Sequence, residues 1–361
     1  MDERLRELMA QMKERNASDL HITVGVPPHY RIFGSLQPVD MPDVTPDTAR
    51  EMIYSMLDDT QRERLEEERE LDNSIGLEGI GRYRVNISFQ RGNPTTAIRR
   101  LPYEIPEFSE LGLPVDTMRD LCDKSRGMVL VTGPTGSGKS TTLASMIDYI
   151  NNEFSRHVIC VEDPIEYLHN HKTSIVNQRE LGQDTLSFPK ALKYVLRQDP
   201  DVVQIGEMRD LETIRSMLTV AETGHLAFST LHTNTAAGTI NRIIDVFPPE
   251  QQEQIRVQLS FVLSAVISQQ LLPRTQGDGL ALACEILVAT PAVRSLIREG
   301  SVDQIYSQIQ MGKGIGMKTM NESLAELTLS GDITEEAARA KSSDVKELDR
   351  MLRGVGESTN A

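Results

Sequence analysis

The decapeptide GPTGSGKSTT (133–142) follows a short apolar run, GMVLVTG, and leads into KSTTLASMIDYINN, the succession of a buried strand, a glycine-rich turn and a helix. It meets the pattern G-x-x-x-x-G-K-[ST] with Gly133, Gly138, Lys139 and Ser140. Gly133, Gly136 and Gly138 let the backbone curl so that its N–H groups face a β-phosphate, and the helix N-terminus adds partial positive charge. Lys139 reaches the β- and γ-phosphates, and the Ser140 hydroxyl is a ligand for Mg2+. Gly133, Pro134, Thr135, Gly136, Ser137, Gly138, Lys139, Ser140 and Thr141 are therefore read as an ATP-binding loop, against the bland reading of a structural glycine turn. The loop points to an α/β fold but not to a purpose, because kinases, helicases, transporter subunits and motors all carry it.

Downstream, HVICVED (157–163) and DVVQIGE (201–207) are apolar runs that end in carboxylates, with helical stretches such as FPKALKYVLRQ and DLETIRSMLTVAETG between and after them. Strands alternating with helices predict a mostly parallel sheet whose active groups gather at the strands' carboxyl ends. Glu207 is placed to face a γ-phosphate, where a carboxylate polarises the attacking water or holds the water shell of magnesium. Glu162 and Asp163 end a strand inserted between the loop and Glu207, the layout of additional-strand ATPases, and are read as active-site acids; the competing reading of "EDP" is a helix cap or turn. Gln204 is unusual within a buried strand, since its amide needs hydrogen-bond partners. His225 and His232 flank a short strand in ETGHLAFSTLHTN, where a neutral imidazole can sense the γ-phosphate. The remaining histidines are read as structural. A helical region is predicted over 249–272, followed by the strand LACEILVA and a helical tail.

The first hundred residues have a different texture. An amphipathic helix is predicted over residues 1 to 15, with Leu5, Leu8, Met9 and Met12 on one side, and strands in LHITV (20–24) and YRIFGSLQPV (30–39). The stretch 45–72 reads as two helices, each opened by a capping Thr or Asp, before strands return in GRYRVNISFQ and TTAIRRLP. These last strands hold Arg82, Arg84, Arg91, Arg99 and Arg100. One reading is a solvated strand face; the other is that some act as arginine fingers supplied to a neighbouring subunit's nucleotide.

The formal charge of −15 over 361 residues argues against a sequence-independent nucleic-acid binder, which needs surplus Lys and Arg against phosphates. Cys122, Cys160 and Cys284 form no CxxC pair and so give no zinc site; they suit a reducing compartment. The amino terminus has no apolar core of a signal peptide, and FVLSAVISQQLL (261–272), the longest apolar stretch, is too short for a membrane span. A cytoplasmic protein without direct membrane insertion is expected.

Taken together, the chain resembles the secretion ATPase superfamily and, within it, the type IV pilus retraction ATPases (PilT family). ASDLHITVGVPPHYRIFGSL looks like that family's amino-terminal signature, VEDPIEY like its Asp box, RQDPDVVQIGEMRDLET like its Walker B, and TGHLAFSTLHTNTAAGTINRIIDVFP like its His box. TPAVRSLIREG is similar to the AIRNLI segment associated with retraction, with Val293 and Ser295 as departures. The resemblance implies a RecA-like P-loop ATPase domain (115–353, with a helical carboxyl-terminal part) behind a smaller amino-terminal α+β, PAS-like domain (1–101) and a linker (102–114), with a disordered tail at 354–361. It implies a homohexamer in which ATP binds between the two domains of one subunit and hydrolysis moves them about the linker. Glu207 is then the general base and Glu162 the magnesium-side acid, two roles that are open to exchange, while Arg82, Arg84 and Arg99 match positions proposed to reach nucleotide. The implied partners are an inner-membrane pilus platform protein and, as an open candidate, a second retraction ATPase, with the motor held at the cytoplasmic face of that membrane. Extension and type II secretion ATPases usually carry a four-cysteine zinc module, for which this chain lacks the residues. An accessory PilU-type retraction ATPase is the nearer alternative.

Overall fold

The computed structural model describes residues 1–77, 80–101, 104–277 and 279–358. The chain forms two compact units, one of residues 1–104 with 164–168 and the other of 105–163 with the rest of the chain.

In the first unit α1 (Glu3–Glu14) starts where the Asp2 carboxylate accepts the N–H groups of Arg4 and Leu5, and it buries Leu5, Leu8, Met9 and Met12. β1 (Ala17–Ile22), β2 (His29–Ile32) and β3 (Ser35–Pro38) follow. α2 (Pro46–Tyr54) opens on Thr45, and α3 (Asp59–Glu68) on Asp58 in a reciprocal capping box with Gln61. Arg69, at φ 64°, stops α3, so the last residues of 45–72 leave the expected helix and begin β4 (Glu70–Leu77). β5 (Gly81–Gln90) and β6 (Asn93–Arg100) complete an antiparallel sheet in the order β3-β2-β1-β6-β5-β4. Tyr83, Val85, Ile87 and Ile98 enter the core beside Leu20, Ile22 and Tyr30. Period-two alternation leaves Arg82, Arg84 and Arg99 on the other face, with Arg84 directly opposite Arg99.

The second unit holds α4 (Val115–Cys122), β7 (Gly127–Thr132), α5 (Lys139–Glu153), β8 (His157–Glu162), β9 (Ile175–Glu180), α6 (Phe188–Val195), β10 (Val202–Ile205), α7 (Leu211–Glu222), β11 (Leu226–Leu231) and α8 (Ala236–Asp245). After these come α9 (Pro249–Val262), β12 (Leu263–Pro273), β13 (Leu280–Val288), α10 (Pro291–Glu299), α11 (Ile305–Met311), α12 (Met320–Leu329), α13 (Glu335–Lys341) and α14 (Val345–Ser358). The sheet runs β13-β12-β7-β11-β10-β8-β9, parallel throughout except for the β12–β13 pair. β7 and β11 are buried along their whole length on both faces, which is why GMVLVT reads as an apolar run without alternation.

One expectation is corrected. Residues 249–272 are not a single helical region: α9 ends at Val262 and the chain becomes β12, lodged between β7 and β13. A strand covered on both faces shows no alternation, so its apolar run has the same period signal as a buried helix. β9 was not foreseen, because its edge position leaves a polar sequence, IVNQRE, with little apolar pattern. Of the expected linker, Pro102 and Tyr103 lie outside the described residues, while Phe108 and Leu113 are buried in the second unit's core. Of the expected tail, α14 takes in residues to Ser358 and the last three lie outside the described residues.

Candidate functional site: a nucleotide loop and strand-end carboxylates

β7 delivers the chain to the loop and α5 carries it away. Gly133 (φ 144°), Gly136 (φ 78°) and Gly138 (φ 85°) all take conformations that side chains resist. At Gly133 a β-carbon would also stand 2.4 Å from the carbonyl oxygen of Gln269 and 2.5 Å from Ser137 Oγ, so glycine is required there. Pro134, Thr135 and Gly136 form the exposed crown of the loop, while Ser137 and Lys139 are buried and Ser140 is half-buried. The Lys139 ammonium donates to the carbonyls of Gly133 and Pro134, both at 2.9 Å, and so lies across the loop's mouth. Ser137 Oγ is buried without a hydrogen-bond partner among the described residues, which fits a loop whose donors are turned toward an anion.

The carboxylates sit where parallel strands end. β8 pairs with β10 in the register Val161 to Ile205, which sets Glu162 beside Gly206 and brings Glu207 one residue further along. A β-carbon at Gly206 would lie 3.6 Å from Glu162 Cα, showing how closely the two strand ends run. Glu207 forms an ion pair with Arg209 and accepts a hydrogen bond from His232 Nε2 at 3.1 Å. Because a carboxylate only accepts, Nε2 carries the proton in this contact. Burial, with the nearby charges of Lys139 and Arg209, holds the His232 imidazole below its ordinary pKa and therefore neutral at physiological pH.

Glu162 is oriented by a residue that the sequence did not single out. Gln178, on β9, donates from Nε2 to Glu162 Oε1 at 2.9 Å, and its own Oε1 accepts the backbone N–H of His169 at 2.9 Å. Asp163, next along, is exposed. Among the described residues no three His, Cys, Asp or Glu side chains stand together as a metal site, so a magnesium ion near Ser140, Glu162, Asp163 or Glu207 would depend on nucleotide and water oxygens as well.

Not every residue read from the sequence joins this cluster. His225 precedes β11, and its Nδ1 bonds locally, donating to the Val220 carbonyl at 3.1 Å and standing 3.0 Å from Thr223 Oγ1. It therefore lies at the amino end of a strand whose carboxyl end leads to His232, one strand length from the loop. Arg82, Arg84 and Arg99 belong to the first unit. There Arg82 donates to Ser74 Oγ at 2.7 Å, and Arg99 Nε donates to the buried Asp19 at 2.8 Å.

A strand–loop–helix with buried lysine, and acids at the ends of adjacent parallel strands, defines a P-loop ATPase of RecA-like build. The chain belongs to the Type II/IV secretion system protein family, whose model matches residues 2–314. It is 46% identical over 337 residues to the type IV pilus retractation ATPase PilT of Pseudomonas aeruginosa, covering 93% of this chain and 97% of that protein. It is 40% identical over 352 residues to the type IV pilus ATPase PilU of the same organism, covering 98% and 92%. A crystal structure of the pilus retraction motor PilT with bound ADP superposes with a TM-score of 0.89 at 52% identity, over 95% of this chain and 98% of that one. The chain is thus an ATPase that binds nucleotide.

Proposed function

We propose that this protein is the ATP-hydrolysing, hexameric motor that retracts a type IV pilus and so powers twitching motility. The observation that carries the reading is the near full-length likeness to retraction ATPases, which extends through the segment TPAVRSLIREG that forms α10. The three cysteines are buried far apart in the sequence and supply no zinc module of the extension type.

In this reading Lys139 binds the β- and γ-phosphates, and the backbone N–H groups of 133–141 cradle them. Glu207 takes the proton of the attacking water, with His232 and Arg209 fixing the direction of its lone pairs. Ser140, Glu162 and Asp163 would hold magnesium, the acids partly through water, and a bound ion would supply charge neutralisation at the phosphates. Arg82, Arg84 and Arg99 supply cations to nucleotide within the ring, and His225 acts at a subunit boundary rather than at the loop of its own chain. The motor works at the cytoplasmic face of the inner membrane, docked on the pilus platform protein. Among the described residues no helix is long and apolar enough to cross a membrane, so attachment falls to that partner.

The test is surface piliation and twitching in a strain lacking the gene, complemented by wild type or by Lys139→Ala. Excess pili with twitching restored only by wild type is the expected result. A bald surface would identify an extension motor instead. The likeness to PilU supports one further reading, an accessory retraction ATPase, for which twitching would persist whenever a second retraction motor is supplied.

A further inference from the structure

Arg294 lies on α10, and its side chain reaches the point where α9 ends and β12 begins. Its Nη1 donates to the carbonyls of Ser260 and Phe261, the second at 2.7 Å, and its Nε donates to the carbonyl of Ala289 at 3.2 Å. Ser260 and Phe261 stand in the last turn of α9, where carbonyls have no partner within the helix and a cation is favoured by the helix dipole.

The junction so gripped is irregular. Leu263 leaves the helix at φ −60°, ψ 128°, and the register of β12 on β7 slips between Leu263 and Ala265. Ser264, the residue at the slip, accepts the N–H of Ala289 at 2.9 Å and packs so close to β7 that a β-carbon at Gly127 would stand 2.2 Å from its Oγ. Arg294 therefore holds both neighbours of the slip, the end of α9 and Ala289.

Further along, at Ser268 and Gln269, β12 touches the nucleotide loop and the strand and helix that flank it. Ser268 Oγ shares a hydrogen bond with Thr132 Oγ1 at 2.8 Å. Gln269 Nε2 donates to Thr142 Oγ1 at 2.7 Å, and its carbonyl oxygen is what forbids a side chain at Gly133. Between slip and loop lie five buried residue steps, about 17 Å of strand hydrogen-bonded on both sides.

We propose that Arg294 is a positioning residue for nucleotide binding. It sets the slipped register of β12 and, through Ser268 and Gln269, the shape of the phosphate loop; by linkage, nucleotide is felt at α10 in return. The inference rests on the nucleotide site and not on pilus retraction, so a wrong assignment of the biological role leaves it standing.

The experiment is ADP binding by calorimetry on assembled protein, for wild type, Arg294→Lys, Gln269→Met, the double variant, and Arg298→Ala as a neighbouring control whose guanidinium reaches the hydroxyls of Ser260 at 3.5 Å and Ser295 at 3.4 Å. Lysine keeps the charge but cannot reach three carbonyls. Arg294→Lys is expected to weaken ADP binding by roughly three- to thirtyfold, and adding it to Gln269→Met to cost less than about twofold more. Affinity equal to wild type, or losses that multiply in the double variant, overturns the proposal. If Arg294→Lys does not fold, hydrogen exchange on the wild-type protein decides: ADP must slow exchange at 260–264 and 289–297, and unchanged exchange there overturns it.

Discussion

At Glu207 two neighbours, Arg209 and His232, hold one carboxylate from two sides, and the imidazole is kept neutral by burial and by the surrounding cations. Glu207→Gln keeps the shape of the group and removes its capacity to take a proton. We expect kcat to fall by roughly 10²- to 10⁴-fold while ATP stays bound, measured by single-turnover hydrolysis; undiminished turnover would transfer the role to Glu162. Gln178 makes a second prediction at this scale. With its amide removed in Gln178→Leu, Glu162 loses an orienting donor, and the magnesium concentration for half-maximal activity should rise by about tenfold. A magnesium titration of the ATPase checks this, and an unshifted midpoint would separate Gln178 from the metal. Lys139 and the loop glycines were legible from spacing alone, whereas Gln178 was not, since a glutamine on an edge strand has no pattern until that strand is paired.

The elements divide into those whose ends are written locally and those placed by their neighbours. α3 begins at Asp58 in a capping box, so Asp58→Ala should cost about 1 kcal/mol in a denaturant titration. β12 is of the second kind. Its course depends on the close approach of Ser264 to Gly127, where φ is 121°. Gly127→Ala combines a left-handed backbone with a steric overlap, and we expect a loss of about 1–3 kcal/mol or more, read by thermal unfolding. A variant as stable as wild type would show that the junction can relax. The misread helix over 263–272 has the same origin. Apolar residues on every side satisfy a buried helix and a central strand alike, and only pairing with β7 and β13 chooses between them.

For the molecule as a whole, His169 is a buried histidine whose imidazole is pushed down to about 4, chiefly by burial. In the unfolded chain it protonates near 6.5, so between these values the unfolded state binds the extra proton. Stability is therefore full above about pH 6.5 and falls as pH drops toward 4, with a slope of up to about 1.4 kcal/mol per pH unit from this one group. In His169→Leu that part of the slope should vanish, as measured by chemical denaturation across the window; an unchanged slope would assign the acid sensitivity to other groups. The net charge of −15 acts at the same scale and predicts that added DNA leaves the ATPase rate unchanged.

The sequence alone determined the features that rest on short-range chemistry: the loop 133–141, the capped helices of the first unit, the carboxylates closing β8 and β10, and hence the ATPase class. These need only local spacing, because a turn, a cap or a phosphate cradle is built from residues a few positions apart. The tertiary structure decided what depends on residues far apart in the chain. It gave β12 its place beside the loop strand, brought Gln178 to Glu162, set His225 at the opposite strand end from His232, and turned Arg294 onto the end of α9. Each of these contacts is made only when strands pair and helices pack, and no periodicity within a single segment encodes its partner.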